Sequence, residues 1–97
     1  MLLALAEIKA KPGKRDEIVK LAAPCIAASR QEAGVLSYRL YVSAENDVTI
    51  QFIEKYVDKD ALRSHAKSDH LKAFAAAIAP YQDGDMVIDS YIVPDQK

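Results

Sequence analysis

Both histidines of the chain lie in one stretch, Gln51–His70, which also holds a glutamate and a tyrosine two residues apart. Imidazole titrates near neutral pH, so His65 and His70 are candidates for general acid–base catalysis. Glu54 shares a predicted strand face with apolar residues, and an apolar setting raises the pKa of a carboxyl group toward values that suit proton transfer. Tyr56 can orient a substrate through its hydroxyl group. The residue types therefore predict His65, Glu54 and Tyr56 as catalytic candidates.

Each candidate also has a purely structural interpretation. Glu54 can pair with a lysine or with backbone amides at the end of its strand, and Tyr56 can simply pack by its ring. His65 can serve as a helix-end packing residue, and His70 as a solvated residue in the first turn of a helix. The residue types leave both interpretations open.

A metal site is not predicted. The five-residue separation of His65 and His70 corresponds to about 140° around one continuous helix, so the two rings would not share a helix face. A helix break at Ser68 would bring them to one cleft, but the sequence shows no third ligand. There is also no glycine-rich phosphate loop, cysteine–histidine pair or serine nucleophile elbow, and we expect no cofactor.

Aromatic residues are candidates for the walls of a binding cleft. The chain has five tyrosines and two phenylalanines, and tyrosine combines an apolar ring with a polar tip. The predicted substrate-binding residues are His70, Tyr38, Phe52, Phe74 and Tyr91.

Hydrophobic periodicity predicts the elements that must position these side chains. Turn residues, Gly34 and Pro80 separate alternating strand patterns from helical ones. The predicted strands are Leu2–Lys9, Val35–Val42, Val48–Tyr56 and Met86–Val93, and the predicted helices run from Lys14 to about Ala33, from Lys59 to about Ala66, and from the Ser68 cap to Ile78. A polar tail follows Pro94.

Three local predictions accompany these elements. Pro24 should kink or break the first helix, because proline cannot donate to the carbonyl of Lys20. Gly34 is expected to act as the C-terminal stop of that helix. Leu36 should lie on the same strand face as Tyr38.

The element order βαββαβ predicts an α+β fold in a single domain spanning residues 1–97. It is the ferredoxin-like sandwich, in which a four-stranded antiparallel sheet carries its helices on one face. The first strand is apolar on both faces, so a second copy is expected to cover the other face and form a dimeric α+β barrel.

Composition narrows the class of protein. A net charge of −1 provides no basic field for nucleic acid or an anionic membrane. Cys25 is the single cysteine, so the simplest compartment is a reducing cytoplasm, and its apolar helical setting predicts a small core residue. The N-terminal apolar run lacks the features of a signal peptide, and no apolar run approaches the ~20 residues of a membrane span.

The central stretch resembles the antibiotic biosynthesis monooxygenase domain family. The residues that carry the resemblance extend over nearly the whole chain, and their order and spacing are more specific than any single motif. They are Phe52-Ile-Glu54-Lys-Tyr56, Asp58-Lys-Asp-Ala61-Leu62, His65, Ser68-Asp-His70, Ala6-Glu7-Ile8, Lys11-Pro12-Gly13 and Glu32-Ala-Gly34.

The resemblance implies a dimeric ferredoxin-like barrel and a reaction without metal or flavin. The best-known members oxygenate quinol or polyphenol-like aromatic molecules with O2, so the implied partners are such a substrate, O2 and a second copy of the chain. His65 stands at the position of the recurring helix-end histidine of the family. Tyr56 stands where many members carry tryptophan, and Ala6-Glu7 replaces the asparagine region of the haem-degrading branch, which argues against haem oxygenation.

Two other functions remain open. The pattern formed by Glu54, Tyr56 and the histidine pair also resembles the branch that processes phosphorylated autoinducer-2 by an isomerisation or keto–enol rearrangement. A catalytically silent small-molecule binding domain would use the same cleft. Oxygen uptake separates these hypotheses, because only the monooxygenase consumes O2.

Overall fold

The computed structural model describes residues 1–94 and confirms the βαββαβ order. The second helical unit is divided in two, and a 3₁₀ turn at Ala79–Tyr81 follows it. The polar tail predicted after Pro94 lies outside the described residues. The elements are β1 (Leu2–Lys9), α1 (Arg15–Arg30), β2 (Val35–Val42), β3 (Thr49–Tyr56), α2 (Lys59–Ala66), α3 (Asp69–Ile78) and β4 (Val87–Ile92).

The four strands form one antiparallel sheet in the order β2-β3-β1-β4, so β1 is central as predicted. Alternate residues of β1 are buried beneath the helices, because successive side chains of a strand point to opposite faces. In register, Ala4 faces Glu54 and Ala6 faces Phe52 on β3. Small side chains on the central strand therefore lie beside the strand that carries the candidate site.

The main core lies between the sheet and helices α1 and α3. The apolar stripe of α1 buries Ile18, Ala22 and Cys25, and α3 contributes Phe74 and Ile78. This packing confirms the helical periodicity read from the sequence.

Of the kink or break predicted at Pro24, the break is absent, since α1 runs as one helix from Arg15 to Arg30. Pro24 lies on the exposed side of the helix. The carbonyl of Lys20, which loses its usual donor, lies on the same exposed side and can bond to water. The apolar stripe on the opposite side keeps both halves packed on the sheet.

The face predicted for Leu36 was wrong. The pairing register between β2 and β3 shifts between Val35 and Ser37, so Leu36 is an extra residue in the ladder. Such a bulge re-aims a side chain, and Leu36 is 56% exposed while Tyr38 is buried.

Gly34 has a different role from the predicted one. Helix α1 already ends at Arg30, and Gly34 does not adopt a positive φ. A Cβ atom at Gly34 would lie 2.4 Å from the Cβ of Ala61 on α2. Glycine is therefore required there by the close approach of α2 rather than by helix termination.

Replacing Gly34 with alanine is expected to lower the free energy of unfolding by about 1–3 kcal/mol, because the new methyl group overlaps Ala61. Chemical denaturation measures the change. The double variant Gly34→Ala/Ala61→Gly should recover part of the loss beyond the sum of the two single effects, because it removes the methyl–methyl overlap. Strict additivity of the two substitutions would contradict this explanation.

The outer face of the sheet and strand β4 remain uncovered in the single chain. Every residue of β4 is exposed, and large apolar side chains are among them. The exposed large apolar residues are Leu36, Tyr41, Val42, Val57, Val87, Ile88, Tyr91 and Ile92. No helix within residues 1–94 has both the length and the apolar character needed to cross a membrane.

Candidate active site

The break between α2 and α3 brings the two histidines together. The Asp58 side chain accepts a hydrogen bond from the Ala61 amide at 2.9 Å and so caps α2. The Ser68 hydroxyl caps α3 by accepting from the Leu71 amide, and it donates to the carbonyl of His65 at 2.7 Å. Both predicted caps are confirmed, and the chain changes direction between His65 and the start of α3.

Glu32 joins both histidines through one carboxylate oxygen. Its Oε2 lies 2.8 Å from Nδ1 of His65 and 2.7 Å from Nε2 of His70. Glu32 lies in the connection between α1 and β2, 33 residues before His65. Glu32 is not among the site residues predicted from the sequence, and its only signal there is its place in the Glu32-Ala-Gly34 segment of the family resemblance.

The contact with Glu32 orients the His65 ring. An ionised carboxylate only accepts hydrogen bonds, so Nδ1 of His65 carries the proton that it donates to Glu32. The other ring nitrogen, Nε2, is then free to accept a proton when the imidazole is neutral. The ring is 3% exposed and packs at centroid distances of 5.1 Å from Tyr38 and 5.7 Å from Tyr56.

Glu54 and Tyr56 form a second buried pair. They point to the same face of β3 because they are two residues apart, and the Tyr56 hydroxyl donates to Oε1 of Glu54 at 2.5 Å. Burial raises the pKa of the Glu54 carboxyl, and the hydrogen bond from Tyr56 and the charge of His65 oppose that effect. Burial likewise raises the pKa of the Tyr56 hydroxyl, so the phenol stays protonated.

The raised pKa of Glu54 predicts how stability depends on pH. The folded state favours the neutral carboxyl, so its contribution is fully present below the ordinary value of 4.5 and is lost as pH rises through the folded-state pKa. In the wild type, this single group can lower the free energy of unfolding by up to about 1.4 kcal/mol per pH unit in that window.

The Glu54→Gln variant should lack this fall in stability, because its amide stays neutral and still accepts from Tyr56. The measurement is urea denaturation of both proteins at a series of pH values from 4 upward. A constant difference between the two curves would contradict the raised pKa, because it would mean that Glu54 titrates alike in the folded and unfolded states.

His65 and Glu54 both line a cavity of about 50 Å³ between the sheet and the helices. Three other lining residues are tyrosine or phenylalanine, and the remaining ones are apolar. The small side chain of Ala6 leaves the space open on β1. The lining residues are Ala6, Tyr38, Phe52, Glu54, Leu62, His65, Ala66, Leu71, Phe74, Met86 and Ile88.

The predicted site residues do not all reach this cavity. Tyr56 and His70 are not among the lining residues, and they are hydrogen-bonded to Glu54 and to Glu32 respectively. Tyr91 is 52% exposed and pairs in register with Leu3, on the sheet face away from the helices. Tyr91 therefore does not line the cavity, because alternate residues of β4 point to opposite faces of the sheet and Tyr91 points away from the helices.

Cys25 is a core residue in the structure, as its helical setting predicted. It is 1% exposed, and its sulfur lies 3.8 Å from the hydroxyl of Ser29. Burial raises the pKa of the thiol. A buried neutral thiol is a poor nucleophile, so Cys25 is not a candidate for catalysis.

Comparisons with known proteins agree with this architecture. Residues 1–77 match the family model described as "Antibiotic biosynthesis monooxygenase". The chain is 33% identical over 76 residues to the Bacillus subtilis protein named "Putative monooxygenase YcnE", a match that covers 78% of this chain and 80% of that protein.

Solved structures extend the similarity to nearly the full chain. A crystal structure titled "antibiotic biosynthesis monooxygenase" superposes with a TM-score of 0.89 at 26% identity and covers 98% of this chain and 100% of the other. The crystal structure of a "putative antibiotic biosynthesis monooxygenase" from Caulobacter crescentus superposes with a TM-score of 0.86 at 30% identity. The match covers 97% of this chain and 90% of the other. Because the family model matches residues 1–77, most of its length, this chain belongs to the antibiotic biosynthesis monooxygenase family.

Proposed function

We propose that this protein is a cofactor-independent monooxygenase that oxygenates a quinol or polyphenol-like aromatic molecule with O2. Family membership supports a general monooxygenase-like function. The main support is the position of His65. Its ring lines a cavity with aromatic walls, and its Nδ1 is hydrogen-bonded to Glu32. That arrangement leaves Nε2 as a base for a phenolic proton.

The proposed reaction begins with proton transfer from a substrate hydroxyl to Nε2 of His65. The resulting phenolate is electron-rich and reduces O2 directly, and exclusion of water from the cavity keeps the reactive anion from side reactions. A new carbon–oxygen bond forms, a carbon–hydrogen bond breaks, and one oxygen atom becomes a product carbonyl. The other oxygen atom leaves as water, with both of its hydrogens taken from the substrate.

Glu54 supplies the second acid–base group in this proposal. Its raised pKa favours a neutral carboxyl, which can donate a proton to the oxygen that leaves as water and then take up the proton released from the substrate carbon, so that both hydrogens of the water come from the substrate. Tyr56 holds the carboxyl through its hydroxyl and acts as a positioning residue. His70 contacts Glu32 rather than the cavity and so supports the orientation of His65.

Substrate binding requires the cavity to widen. Its volume of about 50 Å³ is well below the ~300–1,000 Å³ of typical ligand pockets. Met86 lines one wall, and its unbranched side chain adapts easily to a ligand. Ile88 on the same side is 59% exposed, so the cavity can open toward β4.

An oxygen electrode tests the proposed reaction with a panel of quinols and anthrone-like phenols, using untagged protein freed of metals with EDTA. We expect one O2 consumed per product and incorporation of one ¹⁸O atom from ¹⁸O2. Turnover of phosphorylated autoinducer-2 without oxygen uptake would replace the proposal with isomerisation. Saturable binding without turnover would replace it with a binding function.

We also propose that the chain acts as a homodimer in the cytoplasm. The family typically forms dimers, and β4 exposes apolar residues on both faces, with Val87 and Tyr91 on one and Ile88 and Ile92 on the other. A second copy would cover this surface, which borders the cavity at Ile88. The single cysteine, Cys25, supports the proposed compartment, because disulfides are rare in the reducing cytoplasm.

Sedimentation equilibrium at micromolar concentration is expected to give twice the mass of the chain. The Tyr91→Lys variant should shift the equilibrium toward monomer, because a charge would replace an apolar contact, whereas Lys20→Gln on the exposed side of α1 should not. A wild-type monomer at these concentrations would contradict the dimer.

A further inference from the structure

We propose that Glu32, His65 and His70 form a binding site for one divalent transition-metal ion, with zinc as the reference ion. Two imidazole nitrogens and one carboxylate oxygen are the donors that zinc-type ions prefer. The ligand atoms of the three residues all lie within 4.8 Å of one another.

The distances match a site that closes around an ion with a small adjustment. Oε2 of Glu32 lies 2.8 and 2.7 Å from the two imidazole nitrogens. Ligand atoms around a tetrahedral zinc ion are about 3.3 Å apart, given metal–ligand bonds of about 2.0–2.1 Å. Each Glu32 contact must therefore lengthen by roughly 0.5–0.6 Å, and the two imidazole nitrogens, which lie within 4.8 Å of each other, must come to the same separation of about 3.3 Å. Side-chain rotations can supply both changes.

The three ligands come from separate parts of the fold, and the Ser68 cap anchors the backbone between the two histidines. Glu32 lies between α1 and β2, His65 lies at the end of α2, and His70 lies in the first turn of α3. The Ser68 hydroxyl caps α3 and donates to the carbonyl of His65, so it fixes the backbone at the break from which both rings extend. Because this backbone is already fixed, less conformational entropy is lost when an ion binds.

Solvent can reach the site from one side. The side chains of His70 and Glu32 are 26% and 19% exposed, whereas His65 is 3% exposed. An ion can enter beside His70, and three protein ligands leave a coordination position for water. The single carboxylate offsets half of the charge of a divalent ion.

Ligand chemistry separates zinc-type ions from Mg²⁺ and Ca²⁺. Magnesium and calcium prefer sites made entirely of oxygen ligands, and only one of these three ligands is an oxygen. We therefore expect Zn²⁺, Co²⁺ and Ni²⁺ to bind and Mg²⁺ to leave the site unchanged.

A metal ion bound to His65 would also affect proton transfer in the reaction, an expectation that rests on the proposed function. A metal bound at Nδ1 of His65 requires the ring proton to lie on Nε2, the nitrogen that is proposed to accept the substrate proton. Bound Zn²⁺ should therefore slow oxygen uptake, and EDTA should restore it. Zinc binding is itself measured without substrate, so failure of one proposal does not imply failure of the other.

The primary test is a titration of untagged, EDTA-treated protein with ZnCl₂, followed by calorimetry and by the imidazole signals in ¹⁵N NMR spectra. The sequence contains two histidines, so the spectra report directly on the proposed ligands. We expect one Zn²⁺ per chain and large shifts in both imidazoles. MgCl₂ at the same concentrations should produce neither effect.

Variants assign the ligands. His70→Gln keeps a hydrogen-bond donor for Glu32 but removes an imidazole, and it should weaken Zn²⁺ binding by roughly 100-fold, at least the loss typical for outer-shell partners of a metal site. Asp69→Asn removes an exposed carboxylate next to His70 and should bind as the wild type does. Unperturbed imidazole signals at saturating Zn²⁺, or equal affinity in His70→Gln, would overturn the site.

Discussion

The His65→Ala variant is expected to lose oxygen uptake by roughly 10²–10⁴-fold, the usual contribution of a positioned general base. The reason is that His65 is the imidazole that lines the cavity, with Glu32 fixing the proton on its Nδ1. Without the ring, the substrate hydroxyl would have to lose its proton to water. Initial rates of O2 consumption at saturating substrate measure this effect.

The Glu32→Gln variant tests how far the activity depends on the orientation of the His65 ring, separately from the presence of His65 as a base. Glutamine keeps the size of the side chain but loses the charge that holds both imidazoles. We expect a smaller loss than for His65→Ala, because the base remains while its orientation is no longer fixed. Circular dichroism establishes that both variants fold, and Lys72→Gln on the exposed side of α3 serves as the control.

A His65→Ala variant that retains the wild-type rate would remove His65 from the mechanism. In that case Glu54→Gln becomes the decisive variant, since Glu54 is the other titratable side chain on the cavity wall that was predicted to be catalytic. If both single variants lose activity, a double variant that loses no more than either one would indicate that the two groups act in one proton-transfer sequence.

Truncating Phe52 to alanine is expected to lower the free energy of unfolding by about 3–5 kcal/mol. The side chain is 1% exposed and lies at the centre of an aromatic cluster, with ring centroids 5.4 Å from Tyr38 and 5.9 Å from Phe74. Its removal leaves a void beside the candidate site and eliminates both ring contacts. A loss of this size is a large part of the about 5–15 kcal/mol that stabilises a typical domain.

Urea denaturation monitored by far-ultraviolet circular dichroism measures the effect of the Phe52 substitution. Leu36→Ala is the matched control on the neighbouring strand, because Leu36 is apolar but 56% exposed at the bulge. We expect its effect to stay within about 0.5 kcal/mol. Similar losses in the two variants would mean that Phe52 is not at the centre of the core.

Much of the fold follows from local patterns that tertiary contacts do not override. Alternating burial along β3 and the apolar stripe of α1 both express the repeat of their own element. The caps at Asp58 and Ser68 satisfy backbone amides within three residues, so their signals are local as well.

The errors arose where distant parts of the chain decide the outcome. Leu36 turns outward because the ladder with β3 shifts register, which depends on how two strands meet. Gly34 is required by the approach of Ala61 on α2, and nothing in its neighbouring residues shows that contact. Tyr91 misses the cavity because the pairing of β4 with β1 sets which of its residues face the helices.

Within the site, the two histidines likewise show which features depend on local sequence and which depend on tertiary contacts. The sequence by itself determined that a strand ends at Tyr56, that two helices begin at Asp58 and Ser68, and that His65 and His70 flank the break between them. Only the tertiary structure decided that Glu32 bonds to both rings, because the carboxylate and the histidines are 33 and 38 residues apart and meet only when the chain after α1 packs beside the α2–α3 break. Hydrophobic repeats and caps act over a few residues, whereas a side-chain cluster of this kind depends on packing between elements.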